Sequence, residues 1–164
     1  MNAAHLHLIT NHFPVVGTFI AFLVLLVGWI GKKSDVEKTA LILFVVVGLL
    51  SIPVYVSGNG AEDIVEKFRG VSQQAIEEHE ASAIITLIAI ECLAVLCLVG
   101  LALFGRRESL PGGFLLLIVA LTIISGILTA NTSNLGGKIR HPQEMGDILP
   151  TGGEFPGEEP EEKE

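Results

Sequence analysis

The amino-acid sequence predicts an all-α fold, a four-transmembrane-helix bundle with both termini on the same side. Three observations carry that expectation. Half of the 164 residues are hydrophobic, 17% are charged, and the mean hydropathy is +0.61, which is membrane composition for one compact domain. Four apolar runs, at about 13–31, 39–56, 81–104 and 113–135, come close to or exceed the roughly 20 residues a helix needs to cross a bilayer. An even number of crossings returns the chain to the side from which it started.

The elements follow in order. Residues 1–12 read as a partly apolar lead-in. The first helix should begin near Phe13-Pro14, because proline is tolerated in a first turn, and end at Gly31-Lys32-Lys33. No Lys or Arg precedes this run and no small-residue cleavage site follows it, so it reads as a membrane helix and not as a cleaved signal peptide. The connection GKKSDVEK is short, which predicts an antiparallel second helix over about 39–56. Pro53 should bend or loosen its last turn, and Ser57-Gly58-Asn59-Gly60 should stop it. In AEDIVEKF, Ile64, Val65 and Phe68 share a helical face. A short amphipathic surface helix over about 61–69 is therefore expected, begun by Asn59 or Gly60. Ser72 should cap a longer helix, about 72–104, that runs through QQAIEEHE into the third crossing. Gly105-Arg106-Arg107 should end it. The fourth helix, about 113–135, follows Pro111-Gly112-Gly113, and Gly136-Gly137 should stop it. The membrane domain then covers 1–142, and 143–164 is an acidic Pro/Gly-rich tail expected to be disordered.

Charge sets orientation and excludes some functions. The net charge is −8, and the tail after Pro150, with six Glu against Lys163, supplies −5 of it. The body is only mildly acidic, and nothing points to nucleic acid. Lys32, Lys33, Lys38, Arg106 and Arg107 crowd the two short loops, whereas Lys67, Arg69, Lys138 and Arg140 are spread among acids. The positive-inside rule then makes the short loops cytoplasmic. Both termini and all five histidines would be periplasmic, in a bacterial cytoplasmic (inner) membrane. No catalytic triad, phosphate loop or nucleotide motif is visible, so an electron carrier or a subunit is favoured over a stand-alone enzyme, and no catalytic residue is expected. Cys92 and Cys97 sit five apart inside the third run, on different helix faces, and read as packing residues.

The histidines are the first candidates for chemistry. His12 and His79 stand at the outer ends of the first and third helices, which run parallel. Imidazoles at matching depth across a bundle core suit a bis-histidine haem. Helix N-termini disfavour protonated imidazole and keep such residues available as ligands. Each is otherwise an interfacial histidine bonded to water or backbone. Lys138, Arg140 and His141 could contact a haem propionate, a phosphate headgroup or an acidic partner. His141 could equally complete a non-haem metal site with His12, His79 and Glu80. His5 and His7 are second-tier ligands. Glu91, near the middle of the third helix, is either part of a proton path with Glu80 or a buried acid that hydrogen-bonds a Ser or Thr of the fourth helix. Thr122, Ser125, Gly126, Thr129, Thr132 and Ser133 make a small, polar stripe expected to face the interior.

Three segments, NHFPVVG (11–17), IEEHEASA (76–83) and NLGGKIRHP (134–142), together resemble a family of poorly characterised bacterial four-helix integral membrane proteins. Its members show His-Phe-Pro, His-Glu and Gly-Gly-x-x-x-His motifs in that order. The resemblance spans most of 5–142 and leaves out the acidic tail. Such proteins are regarded as membrane electron-transfer or haem-associated proteins, which implies roles for His12, His79 and His141. The absence of Cys-x-x-Cys-His argues against covalently attached haem.

Three readings follow. The first is an electron-transfer protein with a b-type haem near the periplasmic face, held by His12 and His79 and assisted by Arg140 or His141. It would exchange electrons with a periplasmic partner. The second is a non-haem metal-binding membrane protein. The third is a cofactor-free accessory subunit of a larger respiratory or photosynthetic membrane complex.

Overall fold

The computed structural model describes residues 2–67 and 71–140, the side chain of Arg140 excepted. The tail expected at 143–164 lies outside the described residues. The described chain forms α1 (Ala3–Thr10), α2 (His12–Gly31), α3 (Ser34–Val65), α4 (Gln73–Phe104) and α5 (Gly112–Arg140), with no strand among the described residues.

Each helix boundary has a local cause. Asn2 caps α1 by accepting from the His5 amide at 2.9 Å. The break between α1 and α2 falls at Asn11, three residues before Pro14. A proline ring clashes with the carbonyl four residues earlier and offers that carbonyl no N–H, and here that carbonyl belongs to Thr10, the last residue of α1. The two helices together still make one span, Ala3–Gly31. Lys32 takes a left-handed conformation (φ 51°) and closes α2, with the Lys33 amide donating to the Gly28 carbonyl at 2.8 Å. Asp35 and Glu37 in the first turn of α3 suit its positive dipole end. Ser72 caps α4 by accepting from the Ala75 amide.

Four helical spans are long and apolar enough to cross a membrane, with mean hydropathy from 2.4 to 2.8. They carry a coat of exposed large apolar side chains, among them Phe19, Ile30, Leu49, Ile88, Leu103 and Ile127. A water-facing surface does not tolerate a contiguous coat of that kind, while a bilayer rewards it. This is the make-up of a multi-pass membrane protein.

Neighbouring spans run antiparallel. Along α2 and α3, Gly17 meets Val47 and Gly28 meets Glu37. Along α3 and α4, Gly48 meets Ala94, and the Lys38 ammonium donates to the Arg107 carbonyl at 2.9 Å. Along α4 and α5, His79 meets Gly136 and Gly100 meets Phe114. One end of the bundle therefore carries the basic connections, with Arg107 over the Phe104 ring at 5.2 Å. The other end carries α1, the end of α3, the start of α4 and the end of α5. Buried side chains divide the same way. Leu25, Leu41, Phe44, Leu93, Cys97 and Ile118 fill the basic end. Towards the other end the buried polar side chains Thr18, Ser51, Ser57, Thr86, Thr122, Ser125 and Thr129 are all hydroxyls.

Two expected helix stops do not occur. α3 continues through Ser57-Gly58-Asn59-Gly60 and absorbs the first part of the expected surface helix at 61–69. α5 continues through Gly136-Gly137 to Arg140. Glycine costs a helix only about 1 kcal/mol, and here the space it leaves is occupied by other parts of the bundle. A Cβ on Gly58 would stand 3.1 Å from the His7 ring, one on Gly60 2.8 Å from Ala3, and one on Gly136 3.1 Å from the His79 ring. Pro53 is also carried inside α3.

The bundle consists of two equivalent hairpins, α1–α3 and α4–α5. The buried positions of α2 are Pro14, Thr18, Ala21, Leu25 and Gly28. Shifted by 72 positions they become Thr86, Ile90, Leu93, Cys97 and Gly100, all buried in α4. In α3, Glu37, Ala40, Phe44, Val47 and Ser51 are buried. Shifted by 78 they become Leu115, Ile118, Thr122, Ser125 and Thr129, the buried positions of α5. A matching hydrogen bond marks the register. Ser51 donates to the Val47 carbonyl at 2.8 Å, and Thr129 to the Ser125 carbonyl at 2.7 Å. α3 buries further residues, Leu41, Gly48, Val54, Ser57 and Ala61, because it also packs on α4 and α1.

Candidate functional site

The end of the bundle opposite the basic loops holds two imidazoles seated alike. On α1, the His7 Nδ1 lies 3.1 Å from the Val54 carbonyl oxygen and 3.3 Å from the Ser57 Oγ. On α4, the His79 Nδ1 lies 3.0 Å from the Thr132 carbonyl oxygen. A carbonyl can only accept, so each Nδ1 carries the proton. In a neutral ring that leaves Nε2 as a bare lone pair. The Ser57 hydroxyl spends its own proton on the Val54 carbonyl, at 2.7 Å, and so accepts from His7. Four residues beyond each carbonyl stands the glycine on which the ring rests, Gly58 for His7 and Gly136 for His79. Both rings are half-buried.

The remaining sequence candidates are placed differently. His12 is exposed and has no hydrogen bond among the described residues. Its counterpart in the second hairpin is Ile84, also exposed, so the position faces outward in both. His5 is exposed as well, while Glu80 is half-buried beside the fully exposed Glu77 and Glu78. The Arg140 side chain and His141 lie outside the described residues. No three His, Cys, Asp or Glu residues gather as a metal site among the described residues. A non-haem site built on His12, His79 and Glu80 therefore does not assemble there, and His141 would have to complete any such site.

Glu91 does not reach a hydroxyl of α5. Its carboxyl lies in the seam between α4 and α3, where Oε2 would stand 3.3 Å from a Cβ on Gly48, and its buried Oε1 has no hydrogen-bond partner. It sits at the edge of an apolar groove of about 390 Å³ with Cys92, Val95, Leu96 and Val99. The two cysteines are free thiols, Cys92 exposed and Cys97 buried.

The polar stripe of α5 faces inward at Thr122, Ser125 and Thr129 and is partly buried at Gly126 and Thr132, but Ser133 is exposed; the threonines divide into two kinds. Thr122 and Thr129 return their hydroxyls to carbonyls of their own helix. Thr132 instead joins α4. Its hydroxyl meets the Ser82 Oγ at 2.7 Å and the Thr86 Oγ1 at 2.8 Å, and Asn131 donates to the Ser82 Oγ at 3.1 Å. Such interhelical bonds contribute about 0.6 kcal/mol each on average. Thr132→Val should therefore destabilise the bundle by about 1 kcal/mol more than Thr129→Val in detergent unfolding titrations. Equal effects would show that the interhelical hydroxyls add nothing. Valine keeps the Thr132 carbonyl, so the His79 seat itself should survive.

His7, a second-tier candidate in the sequence, is the imidazole whose seat matches that of His79. The signal was present. His7 and His79 are separated by the same 72 positions as Gly28 and Gly100, and each glycine is followed by a Gly-basic-basic stop, Gly31-Lys32-Lys33 or Gly105-Arg106-Arg107.

The fold and these seats define a class: a four-span helical bundle of two equivalent hairpins with paired imidazoles at one end. Comparison with protein-family models, with curated proteins and with solved structures finds no match. The family resemblance rests on its three sequence motifs alone.

Proposed function

We propose that this protein is an integral-membrane electron carrier that holds a b-type haem at its histidine-bearing end. The observation that carries the reading is the state of the imidazoles. Each seated ring has Nδ1 engaged by a main-chain carbonyl and Nε2 free, the arrangement in which a histidine is oriented to ligate a metal. A bis-imidazole haem needs two such ligands and no third protein donor. The bound haem would supply one-electron redox chemistry.

The chain's own residues do the rest. His79 would hold the haem iron from one side, its ring fixed by Thr132 and Gly136. A second imidazole would come from the N-terminal segment, which carries His5, His7 and His12 at the same end. Arg140 and His141, at and beyond the end of α5, are placed by the sequence to neutralise the propionates. With the basic loops in the cytoplasm of a bacterium, this end faces the periplasm. Electrons would then pass between membrane quinones and a periplasmic carrier.

The test is a reduced-minus-oxidised absorption spectrum of the detergent-purified chain, with metal analysis of the same sample. A sharp reduced α-band with one iron per chain is expected. One tightly held metal without that band would move the assignment to a non-haem site. Neither, after reconstitution with haemin, would leave the accessory-subunit reading.

A further inference from the structure

We propose that the two hairpins contribute one axial ligand each, and that the partner of His79 is His7. This rests on the haem reading above and names its second ligand, which the sequence motifs had assigned to His12. Three features of the two seats coincide. Both histidines occupy the same place in the repeat, 72 positions apart. Each Nδ1–H is directed at a main-chain carbonyl, of Val54 or of Thr132, themselves 78 positions apart. Each ring lies on a glycine four residues further along, with the same three approach distances of 3.1, 3.4 and 3.8 Å from a Cβ built at Gly58 or Gly136.

His12 shares none of this. It is exposed, its ring has no hydrogen bond among the described residues, and its counterpart is an aliphatic side chain. Helical repeats that place ligands from facing helices at a bundle end are a general way of building a shared cofactor site. The glycines have a definite task in this arrangement. They let a ring lie against the helix backbone while its Nδ1 reaches a carbonyl one turn back.

The experiment uses the full chain, purified in detergent and reconstituted with haemin where haem is lost. The substitutions are His7→Ala, His79→Ala and His12→Ala. The wild type should give a six-coordinate low-spin spectrum. His7→Ala and His79→Ala should each lose it, leaving high-spin or released haem, and added imidazole should restore the low-spin form by filling the vacated position. A purely structural histidine gives no such rescue. His12→Ala should keep the low-spin spectrum. Gly58→Ala and Gly136→Ala, which crowd the two rings equally, should each shift the low-spin electron paramagnetic resonance signal, giving a second readout if a histidine variant does not insert. Retention of the low-spin spectrum in His7→Ala, with loss in His12→Ala, overturns the assignment and leaves the haem reading standing. A wild type that takes up no haem, even from haemin, overturns both.

Discussion

Gly48→Ala is expected to destabilise the bundle by about 1–3 kcal/mol, the range for overpacking a close interface, while the equivalent change in the other hairpin, Gly126→Ala, should leave stability unchanged or raise it by up to about 1 kcal/mol. The two glycines occupy the same place in the repeat, 78 positions apart. A Cβ on Gly48 would stand 2.5 Å from the Ala94 Cβ and 3.3 Å from the Glu91 Oε2. The Ala94 methyl is fixed to its backbone and cannot swing aside, so α3 and α4 must part. Association of helices in lipid depends on such close packing, because lipid offers apolar contact as good as a side chain does. A Cβ on Gly126 would meet nothing within 4 Å. Alanine there relieves the backbone entropy of glycine without a clash. The measurement is unfolding of both variants in mixed detergent. Parallel losses would mean that α5 is packed at Gly126 against something the isolated bundle lacks. Parallel gains would mean that the α3–α4 seam is loose.

The contrast shows why the hairpins are equivalent without being interchangeable. The seam between them, α3 against α4, is tightly closed, whereas its counterpart, α5 against α2, is much less extensive. Composition and the lengths of the apolar runs were enough to read four helices, since both depend on hydropathy alone. The ends were harder. Gly58, Gly60 and Gly136 look like stops when judged by local propensity. They lie inside helices because an imidazole or the Ala3 methyl comes to rest on each, a tertiary fact that no local rule contains. Pro14 worked in the opposite direction. It was legible as a first-turn proline, and it also separates α1 from α2, which brings His7 onto α3. The expectation built on His12 assumed that the crossing begins there. α2 does begin at His12, but with α1 the span begins about two and a half turns earlier, at Ala3, and His7 is the imidazole whose seat matches that of His79. The hydroxyls of Thr122 and Thr129 were rightly expected to face inward, yet spacing alone did not separate them from Thr132, which bonds across to α4.

Glu91→Leu is expected to stabilise the bundle by about 1–3 kcal/mol, the usual cost of a buried polar atom left without a partner. Leucine is close to glutamate in size, and the neighbours Val95, Leu96 and Val99 are aliphatic, so the new side chain meets a compatible surface. Glu91→Gln keeps a polar group at the same place and should recover little of that gain. Comparing the two variants in detergent unfolding therefore isolates polarity from volume. A loss of stability in Glu91→Leu would mean that the carboxyl has a stabilising partner after all. The redox spectrum gives the second arm. Glu91 is twelve residues from His79 along α4, about 18 Å at the helical rise. Under the proposed haem reading, a carboxyl that far from His79 should not alter the ligation, and the spectrum of Glu91→Leu should match that of the wild type. If the spectrum is unchanged but reduction by quinol slows in Glu91→Leu and not in Glu91→Gln, the apolar groove beside it becomes the place where the electron donor approaches. If Glu91→Leu is more stable and neither variant is slower, Glu91 is a buried acid that the bundle tolerates at a cost in stability, and the groove has no part in the electron transfer proposed above.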